Sequence, residues 1–130
     1  MVLTEVQQLN FGNYEGTIGG TITVDTNGVR TSSGPILAGG TVRTGIYEVS
    51  ATIAGCDVYP VRIRYNNGTL TGTGDVMPIN TFTSNPASLF TISPLANVPT
   101  TVYVGGNLDS GAAQAAGGYT GTYRVRFTFR

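Results

Sequence analysis

Large apolar residues recur at every second position along most of this chain, and the three-to-four spacing of an amphipathic helix is nearly absent. In IYEVSATI, Tyr47, Val49, Ala51 and Ile53 fall on one side and Glu48, Ser50 and Thr52 on the other, the pattern of a half-buried strand. VYPVRIRY repeats it: Tyr59, Val61, Ile63 and Tyr65 are predicted to face inward, Arg62 and Arg64 outward, and Pro60 predicts an edge position or a strand start. The clearest alternation is YRVRFTF, with Tyr123, Val125, Phe127 and Phe129 in the apolar row and Arg124, Arg126, Thr128 and Arg130 in the wet row. The shorter runs GTITVD, VMPINTF, SLFTIS and TTVYVGGNL add Ile22, Val24, Met77, Ile79, Val102, Val104 and Leu108 to the predicted core. At the start, VLTEVQQLNF alternates only if the register slips once at Gln7 and Gln8. A bulge does this, and it would place Val2, Thr4 and Val6 on the same side as Leu9 and Phe11.

Turn chemistry separates these runs. DTNG at Asp25 to Gly28, NNG at Asn66 to Gly68, TSNP at Thr83 to Pro86, and glycine pairs at 19–20, 39–40, 105–106 and 117–118 are the predicted turns, since Asn-Gly supplies positive φ and proline ends pairing. SGAAQAAGG is rich in alanine but too short and too bracketed by glycine to predict a helix, and reads as a small-residue loop. Eight or nine short strands with turns between them predict an all-β, antiparallel sandwich or barrel. With no repeat or linker in 130 residues, a single domain over 1–130 is expected.

Composition narrows the function more than it names it. Only 11% of residues are charged, against about 25% in ordinary globular chains, so Thr, Ser, Asn and Gly must form the wet sheet faces. Net charge is zero, which supplies no field for nucleic acid or an anionic membrane, and no run approaches the ~20 apolar residues of a membrane span. Every cation is arginine: histidine and lysine, the commonest general base and the Schiff-base nucleophile, are absent. No signal peptide is present, and Met1 is expected to stand where a leader has been removed.

Each motif that suggests chemistry has a plainer reading. Asp25-Thr26-Asn27-Gly28 imitates the opening of a calcium loop, but Val29, Arg30 and Thr31 follow where the loop needs its further ligands, so a hairpin turn is expected and no metal. YVGGNLDSG lacks a phosphate-loop lysine and reads as a strand followed by a turn. Glu48, Asp57, Asp75 and Asp109 are available as paired carboxylates, yet all lie in wet rows or turns, so no enzyme activity and no cofactor are expected. Cys56, the single cysteine, is expected to be a small buried filler, with crosslinking between subunits as the alternative. The rows Arg62 with Arg64 and Arg124 with Arg126 form a candidate ligand face for an acidic glycan, against the ordinary role of arginines in keeping a sheet soluble. Val2, Thr4, Val6, Tyr123, Val125, Phe127 and Phe129 form the candidate assembly edge.

Four segments together carry a family resemblance: LNFGN at Leu9 to Asn13, GTITVDTNGVRTSSG at Gly20 to Gly34, the YEVSATI strand, and YVGGNLDSGAAQAAGGYTGTYRVRF at Tyr103 to Phe127. The L-N-F-G opening and the V-G-G-x-L…G-x-Y-x-G-x-[FY]-x-V ending resemble a bacterial domain-of-unknown-function family, number 4402. That family is similar to spore coat protein U and to archaic chaperone-usher pilins. The resemblance implies an exported, immunoglobulin-like sandwich at the cell surface or outside the cell, structural or adhesive in function. Two readings follow from it. One is a coat or pilin-like subunit that associates with itself into an oligomer or filament; the other is an adhesive module that grips a glycan or another polymer through Arg, Asn and exposed Tyr such as Tyr59 or Tyr103. Pilins of that kind accept a neighbour's N-terminal strand, whereas here the first seven residues are expected to pair within their own sandwich, and YRVRFTF to be the domain's own closing strand.

Overall fold

The computed structural model describes residues 2–15, 19–50, 59–72, 74, 76–87, 89–92, 98–111 and 119–129, with the backbone alone at 59, 120, 122 and 129. Thirteen strands occur among them: β1 (Val2–Gln7), β2 (Asn10–Phe11), β3 (Tyr14–Glu15), β4 (Gly20–Val24), β5 (Arg30–Ser33), β6 (Ile36–Leu37), β7 (Val42–Arg43), β8 (Gly45–Ser50), β9 (Tyr59–Gly72), β10 (Met77–Asn85), β11 (Leu89–Ile92), β12 (Thr100–Ser110) and β13 (Tyr119–Phe129). Four are two-residue pairings, which leaves nine strands of four residues or more. All nine belong to one antiparallel sheet in the order β1-β8-β12-β10-β9-β11, with β13 on the other flank of β9 and β4 joining β12 to β5. The fold is thus all-β, as the alternation requires.

The sheet doubles back on itself to make the two layers of a sandwich. Tyr47 on β8 meets Phe127 on β13 with ring centroids 5.8 Å apart, although several strands separate β8 from β13 along the sheet. Two apolar clusters fill the space between the layers. One holds Tyr47, Val49, Val61, Ile63, Ile92, Val102 and Val104; the other holds Phe11, Ile22, Val24, Met77, Ile79 and Leu108. Phe82 packs against both. Of the inward residues read from the alternation, Ile22, Val24, Tyr47, Val49, Val61, Ile63, Met77, Ile79, Val102, Val104 and Leu108 are buried, each stabilising the fold by roughly 1.5–3 kcal/mol through removal of apolar surface from water. Tyr65, Tyr123, Val125 and Phe127 are half-buried, and Ala51, Ile53 and the side chains of Tyr59 and Phe129 lie outside the described residues.

The DTNG segment is the β4–β5 turn: Asp25 Oδ1 accepts from the Asn27 and Val29 amides at 2.9 Å, and the Gly28 amide donates to Asp25 O at 3.1 Å. Other turn expectations need correction. NNG does not reverse the chain, because β9 runs through it, and the reversal comes between Gly72 and Met77. Thr69 pairs with Thr122 and Asn66 with Arg124, so Asn67 and Gly68 together face the single residue Tyr123. The signal marks a bulge, where an extra residue needs the same tolerant backbone as a turn. Gly105 and Gly106 are not a turn either: both are buried in the middle of β12, which continues to Ser110. Thr83, Ser84 and Asn85 remain in β10, and the strand ends at a cis Asn85-Pro86 bond. At the N-terminus the slip lies between Glu5 and Gln7, one residue earlier than expected. Leu9 and Phe11 do pack inward, but Val2, Thr4 and Val6 are exposed and belong to neither apolar cluster. Pro60 sits at the start of β9, as expected. Cys56, Asp57, Asp75 and SGAAQAAGG's central residues 112–118 lie outside the described residues.

The L-N-F-G segment now has a physical explanation. Leu9 packs against the second cluster, Asn10 Oδ1 accepts the Gly12 amide at 2.9 Å, and Phe11 is buried. Gly12 has φ +72°, and a β-carbon there would stand 2.6 Å from Arg30 Nη1. The Arg30 guanidinium fills that space and donates to Phe11 O at 2.9 Å, to Asn13 O at 2.8 Å and to Ala38 O. A planar fork with several fixed donors can tie three carbonyls at once, which a lysine ammonium cannot reproduce with the same geometry.

Candidate functional site

Two surfaces emerge from the site residues read in the sequence, and they lie on different parts of the sandwich. The first is built by the long β9–β13 ladder. Arg126 stands directly opposite Arg64, while Thr128 faces Arg62 and Asn66 faces Arg124. The pairing therefore places Arg62, Arg64, Arg124 and Arg126 on one outer face; Arg64, Arg124 and Arg126 are exposed and Arg62 is half-buried. Like charges opposite each other across a ladder are mildly destabilising.

The second surface is the seam where the sheet's two ends approach. β1 pairs only with β8 among the described residues: Val2 faces Ser50, Leu3 faces Val49, Thr4 faces Glu48 and Glu5 faces Tyr47. The first residues therefore pair within their own sandwich. Opposite stands β13, and a shallow cleft of about 310 Å³ lies between them, lined by Leu3, Glu5, Tyr47, Tyr123, Arg124 and Val125. Two tyrosines bridge it, Tyr47 Oη lying 3.2 Å from Tyr123 Oη. Of the candidate assembly-edge residues, Val2, Thr4 and Val6 lie exposed on β1, whereas Tyr123, Val125 and Phe127 are half-buried against the first cluster. Phe129 has its backbone in register with Val61. The alternation could not show that Leu3 belongs with the exposed edge, at 45% exposure, or that Glu5 joins the tyrosine pair.

Burial raises the Tyr47 phenol far above its ordinary pKa, and the Tyr123 hydroxyl and the Glu5 carboxylate push the same way. Burial also raises Tyr123, with Glu5 adding and the Tyr47 hydroxyl and Leu9 backbone opposing. The folded protein thus keeps these phenols protonated to higher pH than the unfolded chain, whose tyrosines ionise near pH ~10. Their contribution to stability is complete below about pH 10 and is lost as pH rises beyond it. Denaturant midpoints should accordingly stay level through neutrality and fall above about pH 10. The fall should be shallower in Tyr47→Phe, and an equal slope in that variant would assign the alkaline loss to other groups.

A third polar group crosses β4, β12 and β10. Thr21 Oγ1 donates to Asp109 Oδ1 at 3.2 Å, Asn80 Nδ2 to Asp109 Oδ2 at 2.7 Å, and Thr23 Oγ1 to Asn107 Oδ1 at 2.9 Å. Both Asp109 oxygens are thereby engaged in holding strands together. Among the described residues no group of three Cys, Asp or Glu side chains comes together.

The family described as "Domain of unknown function (DUF4402)" matches residues 1–129, and the chain belongs to it. Comparison with curated proteins and with solved structures gives no match.

Proposed function

We propose that this member of the family is an exported, non-catalytic structural subunit of the bacterial surface, related in build to spore coat protein U and to archaic chaperone-usher pilins. It makes its contacts with other proteins through the edges of its sandwich. The observation that carries this reading is β1: a sheet edge with no strand on its outer side among the described residues and with Val2, Leu3 and Val6 each about half exposed. An open apolar edge is a template for another chain, and soluble proteins normally cover or charge it. The engagement of Asp109 in the strand ladder, and the lack of histidine and lysine, support a non-catalytic role.

A second reading rests on the opposition of Arg64 and Arg126, which an anion lying between them would relieve; it makes the protein an adhesive module for an acidic glycan. One pair of measurements separates the two. Sedimentation velocity of the purified chain should show multimers whose share grows with concentration. A protein that stays monomeric and is retained on an acidic polysaccharide column, eluting at lower salt after Arg64→Gln with Arg126→Gln, would replace the first reading with the second.

A further inference from the structure

The cations of this chain are gathered rather than spread. Four of its seven, Arg62, Arg64, Arg124 and Arg126, stand on the outer face of β9 and β13, and no carboxylate belongs to β9, β13 or the adjoining β10 and β11. Arg30 commits its donors to backbone carbonyls, whereas none of these four has a hydrogen-bond or ion-pair partner among the described residues. Protection of an edge explains arginines on β13. It does not explain Arg62 and Arg64, because β9 is an interior strand with β13 on one flank and β10 and β11 on the other. Solubility does not require Arg64 opposite Arg126 either, since interspersed signs provide it without the repulsion of like charges across a rung.

We propose that this face binds an acidic polysaccharide bearing a carboxylate on each sugar, held by the four arginines. The inference deepens the acidic-glycan reading above and rests on it. Three rungs form the site: Arg62 with Thr128, Arg64 with Arg126, and Asn66 with Arg124. The Cα atoms of the central pair are about 4.5–5.5 Å apart, close enough for two guanidinium forks to hold one carboxylate from both sides. Arg62 and Arg124 lie at opposite corners, each about 6.5–7 Å along its strand from the central rung, so the carboxylates before and after the central one each meet a fork of their own. Thr128 and Asn66 fill the other two corners; both donate and accept, as the hydroxyls of a sugar do, whereas a polyphosphate presents acceptors alone. Single-stranded nucleic acid needs aromatic platforms, and Tyr65, Tyr123 and Phe127 all turn to the core instead. A second copy of the chain does not supply the counter-charge: among the described residues Asp109 is held in its ladder and no three acids come together.

Calorimetric titration of the full chain with galacturonate oligomers of increasing length tests the assignment. Affinity should climb up to the trimer, the shortest chain with a carboxylate for each of the three positions, and change little beyond it; the fully methyl-esterified trimer should not bind. Arg64→Gln with Arg126→Gln should weaken trimer binding about tenfold or more, the scale of one lost charge-assisted hydrogen bond. Because the two cations repel each other in the free protein, the same variant should melt no lower than the wild type, which separates a lost contact from a lost fold. Arg64→Lys with Arg126→Lys keeps the charge without the fork and should fall between the two. Arg43→Gln, exposed on β7, should bind as the wild type does. Equal affinity for the trimer and for inorganic tripolyphosphate, or retention on dextran sulfate without galacturonate binding, would overturn the carboxylate assignment. Trimer binding that survives the loss of Arg64 and Arg126 would overturn the placement and leave the acidic-glycan reading standing. A chain retained by neither polygalacturonate nor dextran sulfate overturns both.

Discussion

Gly105→Val should leave no folded protein, and Gly105→Ala should cost about 3 kcal/mol or more, the high end for added volume in a packed interior. β12 changes partners here: Thr100 to Val104 pair with β8, and Gly106 to Ser110 pair with β4. At the crossing point the backbone of Val24 and Asp25 occupies the place a β-carbon on Gly105 would take, with Asp25 C and Cα at 2.9 and 3.0 Å and Val24 O nearer still. Backbone atoms cannot swing aside as the tip of a side chain does, so relief would require β4 to part from β12. Ile22 and Val24 on β4 are fully buried, and that movement would open the second cluster to water. Guanidinium denaturation of Gly105→Ala and soluble yield of Gly105→Val provide the check. A loss below about 1 kcal/mol for the alanine variant, the level of ordinary surface changes, would show that β4 can retreat freely.

Phe82→Ala should destabilise by about 3 kcal/mol, the lower range for emptying an aromatic site because Phe82 is only half-buried. Its ring stacks between Tyr65, with centroids 5.3 Å apart and planes at 15°, and Tyr123, at 5.1 Å and 29°. It also faces Gly106, where a β-carbon would lie 3.2 Å from the ring. Because Phe82 touches both clusters, its removal should lower the thermal midpoint of the whole protein without splitting the transition. Two separate transitions would mean that the clusters unfold independently. The Tyr65 hydroxyl, raised in pKa by burial with Ser84 opposing, belongs to this same stack.

Phe82 also shows where the sequence stops being legible. Met77 and Ile79 set an odd-numbered inward row in β10, and strict alternation would turn Phe82 outward. The structure inserts a bulge between Asn80 and Thr83, with Thr81 at φ +51°, and the inward row resumes on even numbers. Period-two reasoning identifies strands and their inner faces because burial acts on every second residue. Breaks in phase depend on how the sheet bends around a distant layer, and no local pattern carries that information. Gly105 and Gly106 were opaque for the same reason, since a glycine required by a close neighbour has the same letter as one required by a turn. The arginine face was more accessible: β9 and β13 each show their cations at alternate positions, although only the register shows that Arg64 and Arg126 stand opposite. The exposed β1 edge could not be read, because its valines look like core residues in the sequence and only their exposure in the folded chain places them outside the two clusters.

The doubled residue on β9 makes this long strand asymmetric to length changes. Val61, Ile63 and Tyr65 keep odd numbers inward below Asn67 and Gly68, and above them the half-buried position is the even-numbered Leu70. Losing a single codon at Asn67 or Gly68 would therefore remove the extra residue, set Leu70 four places after Tyr65 and keep it on the inner face in unbroken alternation. Losing both Asn67 and Gly68 would instead leave an odd step between Tyr65 and Leu70, turning the leucine outward and the neighbouring threonines inward unless a new bulge formed elsewhere.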